Sequence, residues 1–224
     1  MNQRFERQLP LIGDAGQRAL SDSTVAIVGC GGLGSAVISN LVCAGVGHII
    51  LIDGDTVSES NLNRQFIHAG SVGESKVESA RSWILRLCPE CEVSIVSDHF
   101  SEDNPSVIDS ADVVVDCLDN PGSRLTLADA CIRKKKVLVH GAVDAYHGQV
   151  AVIRPEDVLR MQHIYPKPSV RIEHHSISPP VMLIGSIQAN EVINILIGSD
   201  DCLRDEIVTV DLSDRSMNRY RITG

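Results

Sequence analysis

A doubly wound α/β fold, its sheet mostly parallel and ending in antiparallel strands, is the class this sequence predicts. Three features predict it. Short runs of aliphatic and β-branched residues alternate with stretches of helical spacing through about residue 140. The first apolar run passes directly into a glycine-rich turn, Gly29-Cys30-Gly31-Gly32-Leu33-Gly34, and then into a helical pattern. Beyond residue 200 the pattern changes to two short runs suited to a strand pair.

The elements follow in order. Residues 25–28 are apolar and β-branched and predict the first strand. A helix is expected over 35–44, ended by Gly45, the residue that most readily takes a left-handed cap. Residues 48–52 read as a buried strand with acids just past its carboxyl end. The stretch 74–87 has helical spacing, with Val77, Ala80, Ile84 and Leu87 on one face and Pro89 closing it. Strands are expected at 93–96, 113–115, 137–139 and 149–153, with a helix over 124–134. Residues 154–180 hold Pro155, Pro166, Pro168, Pro179 and Pro180 and read as a long crossover loop, a kind of segment that is often functional. A helix over 181–197 and strands at 207–212 and 218–222 complete one domain expected to span 1–224.

Composition narrows the function. At 224 residues the chain has room for one substantial α/β domain but not two. Aromatic residues make up only 3% and the net charge is −9, which argues against base stacking and against a polyanionic partner. The most apolar stretch, 181–197, is broken by Gln188, Asn190, Glu191 and Asn194, so no membrane span is read. Arg4, Glu6, Arg7 and Asp14 interrupt the first twenty residues, so no secretory signal is read either. The seven cysteines are odd in number and irregularly spaced, unlike a secreted disulfide scaffold. A cytoplasmic protein without nucleic-acid or membrane partners is the expectation.

Gly29, Gly31 and Gly34 match a G-x-G-x-x-G turn that follows a strand and opens a helix. In a Rossmann-like fold the first glycine makes the tight turn and the second lets backbone approach a phosphate. The third allows close helix–strand packing, with the helix N-terminus facing the anion. Asp53 stands where an acid accepts ribose hydroxyls. To this point an NAD-dependent oxidoreductase and an ATP enzyme read alike. The following stretch favours a triphosphate. Asp55, Asn61, Arg64 and Gln65 come soon after Asp53, and an arginine can neutralise phosphate bidentately while an amide donates to it. Lys76, at the start of the next helix, is placed for phosphate, although by itself it reads as a solvated helix lysine. Asp116-Cys117-Leu118-Asp119-Asn120 ends a buried strand, where open α/β sheets put their ligands, and a carboxylate facing a polyphosphate there suits Mg²⁺.

Together with Arg4-Phe5-Glu6-Arg7-Gln8, residues 73–80 and residues 185–189, these motifs resemble the ThiF/MoeB/HesA-type adenylyltransferases of the ubiquitin-activating-enzyme-like superfamily. The resemblance covers about residues 4–212, with these six motifs in order along the chain. It implies ATP-dependent adenylation of a carboxylate, most directly the C-terminal glycine of a small ubiquitin-like sulfur-carrier protein ending in Gly-Gly, with release of pyrophosphate. By the same resemblance, Gly29, Gly31, Gly32, Gly34 and Asp53 hold the nucleotide. Asp55, Asn61, Arg64, Gln65 and Asn120 surround the triphosphate and the reacting carboxylate. Lys76 contacts phosphate, and Asp119 holds Mg²⁺. Arg7, Arg64, Lys76 and Asp119 form the implied catalytic set, and Arg7 is implied to act across a homodimer. Arg124 is similar to an arginine near the nucleotide, and reads equally well as a surface residue of its helix.

The sequence departs from the family in two respects. Many relatives hold a structural zinc with two C-x-x-C pairs, both missing here, so no structural zinc is expected. His163, His174 and His175 read as exposed loop residues, not replacement ligands, and Cys88 with Cys91 is one pair without a second. The crossover loop also has no cysteine. This argues against transfer of the activated carrier to a thiol of this chain, and Cys30 and Cys117 read as packing residues. Adenylation of a small-molecule or RNA-attached carboxylate remains open, as do an oxidoreductase and a binding-only partner subunit.

Overall fold

The computed structural model describes residues 3–166 and 175–223. Its elements, in chain order, are α1 (Leu9–Ser21), β1 (Thr24–Val28), α2 (Gly32–Ala44), β2 (His48–Ile52), α3 (Lys76–Leu87), β3 (Glu92–Val96), β4 (Val113–Asp116) and α4 (Pro121–Arg133). They continue with β5 (Val137–Asp144), β6 (His147–Ile153), α5 (Met161–Ile164), α6 (Ser178–Leu196), β7 (Glu206–Asp211) and β8 (Ser216–Arg221). All eight strands form one sheet in the order β3-β2-β1-β4-β5-β6-β7-β8. The first five are parallel, and β6, β7 and β8 join antiparallel, as the sequence predicts.

The strand order reverses between β1 and β4. Connections leaving the carboxyl ends of these two strands diverge, which opens a crevice in doubly wound sheets. The register places Val28 beside Ile52 on one side and beside Asp116 on the other. Gly29, Asp53 and Cys117 therefore leave the sheet at one level, at the mouth of that crevice. Val25, Ala26, Ile27 and Val28 are fully buried, consistent with helices covering both faces. Each large aliphatic side chain in this layer contributes about 1.5–3 kcal/mol by leaving water.

Several elements differ from the sequence expectation. α1 has no counterpart among the elements expected from the sequence; Gly13 (φ 68°) interrupts its helical run, and Leu20 is buried while Leu11 is 84% exposed. The second helix begins at Gly32 instead of 35, inside the glycine turn itself, and ends at Gly45 (φ 91°) as expected. β5 and β6 are longer than their apolar cores, running to Asp144 and from His147, because hairpin pairing continues through polar residues. The crossover segment 154–180 is not wholly a loop. It contains the one-turn α5, and α6 starts at Ser178 with Pro179 and Pro180 in its first turn, where the missing N–H groups cost nothing.

The Gly185-Ser-Ile-Gln-Ala189 stretch has a positioning role in this architecture. A Cβ on Gly185 would lie 2.5 Å from the Ala36 Cβ, so its absence lets α6 lie tightly on α2. Gln188, fully buried, then donates its amide to the carbonyls of Asp116 (2.9 Å) and Val139 (3.3 Å). It ties α6 to the strand ends beneath the crevice.

Candidate active site

The crevice is a cleft of roughly 590 Å³. Its lining brings together most of the residues the sequence singled out: Gly29, Gly31 and Gly32; Asp53 and Asp55; Asn61, Arg64 and Gln65; Lys76; Asp119 and Asn120. Gly34 lies one turn into α2, behind the cleft. Arg7 is exposed, in the turn before α1, and is absent from this wall.

The glycine turn is shaped by close backbone approach. Gly29 takes φ 97°, and a side chain there would strike the Cys117 carbonyl at 2.5 Å. A Cβ on Gly34 would lie 2.2 Å from the Gly29 oxygen, so α2 must start directly on the turn. Asp53, almost buried, holds the turn from the β2 side. Its Oδ2 accepts from the Cys30 amide at 2.7 Å and its Oδ1 from the Asp55 amide at 2.8 Å. Each carboxylate oxygen retains a free lone pair.

His68 grips the other side of the same residue, at its carbonyl, in the next peptide unit. It is fully buried, with Nε2 2.8 Å from the Cys30 carbonyl oxygen and Nδ1 3.0 Å from the Ser79 hydroxyl on α3. Burial lowers its pKa below the ordinary histidine value. The sequence reading passed over His68 and Ser79. The available signal was a lone histidine in the apolar run Phe66-Ile67-His68, three residues past Gln65.

Lys76 is not the solvated helix lysine that it suggests when read by itself. Its side chain is 9% exposed, and Nζ donates to Asp55 Oδ2 at 2.6 Å. One of its three donors is used, so two remain for another anion. Asp55 is half exposed and also has His99 at 3.7 Å. Arg64 lies along the cleft with Nη1 donating to the Ser60 carbonyl (3.1 Å) and to Asn63 Oδ1 (2.7 Å). Gln65 is buried, and its Oε1 has no partner among the described residues. Asn61 uses its Oδ1 to accept from the Ser58 amide, which leaves its amide hydrogens available.

On the β4 side, Asp119 is exposed at the cleft mouth. Asn120 caps α4 by accepting from the Ser123 amide at 2.8 Å. Arg124 is a correction to its surface reading. It is a buried part of the cleft lining, donating to the Leu118 carbonyl (2.6 Å) and the Tyr165 hydroxyl, while its Nε lies 3.8 Å from Asp116 with no hydrogen-bond partner among the described residues. Asp116 itself is fully buried, accepting from the Leu118 amide (3.0 Å) and from His140 Nδ1 (2.7 Å). Burial pushes the His140 pKa down, so its imidazole is neutral at pH 7 and donates Nδ1–H to the carboxylate. This network fixes the 117–119 loop. His99 and Phe100, just past β3, also line the cleft; the rule that ligands sit beyond carboxyl ends of strands would have found them.

Cys30 and Cys117 are both buried, as the packing reading expects. Burial, reinforced by Asp53 for Cys30 and by Asp116 for Cys117, raises both thiols well above their ordinary pKa. His163 and His175 are exposed, while His174 lies outside the described residues. Among the described residues, no cluster of three or more His, Cys, Asp or Glu side chains is arranged to hold a metal, and no helix is long and apolar enough to cross a membrane.

Fold and cleft together define the class: a doubly wound α/β domain with a glycine turn, an acid just past β2, and Arg64 and Lys76 in the cleft at its topological switch point. The chain belongs to the ThiF family, whose sequence profile matches residues 5–223. It is similar to the molybdopterin-synthase adenylyltransferase of Escherichia coli, 37% identical over 217 residues that cover 93% of this chain and 87% of the relative. It is also similar to the adenylyltransferase and sulfurtransferase MOCS3 of Drosophila yakuba, 37% identical over 98% of this chain and 51% of the relative. The chain thus spans about half the length of the MOCS3 proteins it matches. Among solved structures, E. coli MccB with ATP superposes with a TM-score of 0.85 over 99% of this chain and 72% of that one. At 20% identity, that likeness is one of fold.

Proposed function

We propose that this chain is a cytoplasmic, ATP-dependent adenylyltransferase acting on the C-terminal carboxylate of a small ubiquitin-like sulfur-carrier protein that ends in Gly-Gly. The observation that carries the reading is the convergence in one cleft of the glycine turn, Asp53, Arg64, the Lys76–Asp55 pair and Asp119. The likeness to adenylyltransferases over nearly the whole chain supports it. An oxidoreductase would have no use for Arg64 and Lys76 beside the glycine turn, and a binding-only subunit would not need to retain them.

In this reading the glycine-turn amides and the α2 N-terminus take the phosphates, and Asp53 takes the ribose hydroxyls with its free lone pairs. A carboxylate oxygen attacks the α-phosphorus. The bond to the bridging oxygen breaks, pyrophosphate leaves with that electron pair, and an acyl-adenylate forms. The nucleophile is already an anion, so no general base is required. Charge accumulating on the transferring group is met by Arg64 and Lys76, held in advance by their protein partners, so little reorganisation is needed at the moment of reaction.

Mg²⁺ is bound in such sites by one or two carboxylates together with substrate phosphates, and Asp119, exposed at the cleft mouth past the end of β4, fits it. When bound, the ion would neutralise phosphate charge. The direct test is ATP–pyrophosphate exchange with a purified Gly-Gly carrier. Exchange that no carrier stimulates, but a small carboxylic acid or a charged RNA does, would reassign the substrate.

Arg7 lies outside the cleft of its own chain, which suits donation to a second copy. A homodimer with composite sites is the corresponding proposal. Mixing Arg7→Ala with Asp119→Ala protein is expected to restore up to about a quarter of wild-type exchange, because the heterodimer regains one intact site. A monomer fully active at high dilution would exclude it.

The product is expected to leave as an adenylate. The crossover segment has no cysteine, and the cleft-side thiols, Cys30 and Cys117, are buried and held protonated. Intact-mass analysis after incubation with ATP and carrier should show no covalent conjugate. A conjugate abolished by replacing one cysteine would overturn this expectation.

A further inference from the structure

We infer that His68 is a positioning residue for phosphate binding: it sets the glycine turn by holding the Cys30 carbonyl, and it joins that turn to the helix that carries Lys76. The inference rests on the nucleotide reading of the cleft and adds to it a residue that touches no ligand.

The argument begins with the peptide units of the turn. The Cys30 carbonyl and the Gly31 N–H share one peptide plane, so a bond that holds the carbonyl also aims the Gly31 amide, and glycine itself fixes nothing. Cys30 is held at both ends. Its N–H donates to Asp53 Oδ2 at 2.7 Å, and its carbonyl accepts from His68 Nε2 at 2.8 Å. A carbonyl can only accept, so Nε2 carries the proton and Nδ1 must accept from the Ser79 hydroxyl at 3.0 Å. Ser79 lies one helical turn after Lys76 on α3, and Lys76 bonds Asp55 at 2.6 Å. Asp55 in turn donates its amide to Asp53.

These bonds close a ring through Asp53, Cys30, His68, Ser79, Lys76 and Asp55, linking three walls of the cleft. Its centre is sealed from water, since His68 is fully buried and Ser79 is 1% exposed. A buried histidine in an apolar segment needs only satisfied nitrogens to be a packing residue. Here both its bonds go to groups whose placement decides where anion donors point.

The test compares three full-length variants by their affinity for a non-hydrolysable ATP analogue and for adenosine. His68→Asn places its amide near the Nδ1 position and loses the Cys30 bond. His68→Gln places a donor near Nε2 and keeps that bond. Ser79→Ala frees the imidazole on the α3 side. His68→Asn is expected to weaken the analogue about tenfold or more, equivalent to about 1.4 kcal/mol, with adenosine binding changed less than about threefold. His68→Gln should recover most of the loss, and Ser79→Ala should fall between. Thermal midpoints, measured alongside, should not track the affinities.

Equal weakening of analogue and adenosine, or an affinity that follows the melting temperature, would make His68 merely structural and overturn the inference. So would a His68→Gln protein no better than His68→Asn. If His68→Asn does not fold, the Ser79→Ala and His68→Gln pair still decides through the analogue-to-adenosine ratio. A wild-type chain that binds no ATP analogue overturns the nucleotide reading itself. Wild-type binding with indifferent variants overturns only the role of His68.

Discussion

Asp119→Ala is expected to lower carrier-stimulated pyrophosphate exchange by about a hundredfold or more, the range associated with losing one preorganised charge-stabilising group at a reacting centre. Stability should hardly change. Asp119 is exposed, and among the described residues its one side-chain hydrogen bond is a 3.5 Å contact from the Asn120 amide, so its removal should cost no more than about 0.5 kcal/mol. The loop beneath it is held independently, by Asp116 on the Leu118 amide and Arg124 on the Leu118 carbonyl. Activity and folding should therefore separate in this variant. Arg64→Ala, which loses only two bonds to its own segment, should show the same separation. Exchange at the wild-type rate in Asp119→Ala, at saturating Mg²⁺ and ATP, would mean that the chemistry lies elsewhere.

Asp53→Ala should behave differently, with nucleotide binding and stability falling together. Its carboxylate would lose bonds to ribose, each charge-assisted and worth on the order of 1.5–3 kcal/mol. It would also release the Cys30 and Asp55 amides, which it holds at 2.7 and 2.8 Å in a nearly buried position. Two orphaned donors at the root of the glycine turn would unfix both that turn and the Asp55–Lys76 pair. Calorimetry should find no measurable ATP binding, and the melting temperature should drop by several degrees. Asp53→Asn keeps the shape and one acceptor oxygen, so it should recover much of the stability and little of the affinity. Tight nucleotide binding in Asp53→Ala would remove the ribose assignment.

Local chemistry made much of this protein readable before any coordinates. The alternation of β-branched runs with helical spacing, Gly45 as a helix stop and the glycine turn after β1 all act over a few residues, and the structure carries each of them. The same holds for the candidate site at its first layer. Asp53, Arg64, Lys76 and Asp119 sit just past strand ends or at a helix start, positions that a doubly wound sheet directs into one crevice. What local pattern could not decide was the environment of each side chain. Lys76 read alone as a solvated lysine became nearly buried because Asp55, 21 residues earlier, meets it across the cleft. Arg124 could be a nucleotide ligand or a surface residue from its helix position. Only the approach of Leu118 and Tyr165 shows that it is buried and that two of its nitrogens bond inward, beneath the cleft wall it helps to form. His68 gave no periodic signal, because its partners, Cys30 and Ser79, are 38 residues before and 11 after it. Propensity and spacing are properties of neighbouring residues, so the sequence by itself determined the order of the elements apart from α1 and α5, and most of the residues that reach the cleft, though not His99 or Phe100. Burial and hydrogen-bond pairing belong to contacts made when distant segments pack. The tertiary structure alone therefore decided which of those residues line the cleft with polar atoms to spare and which hold the others in place.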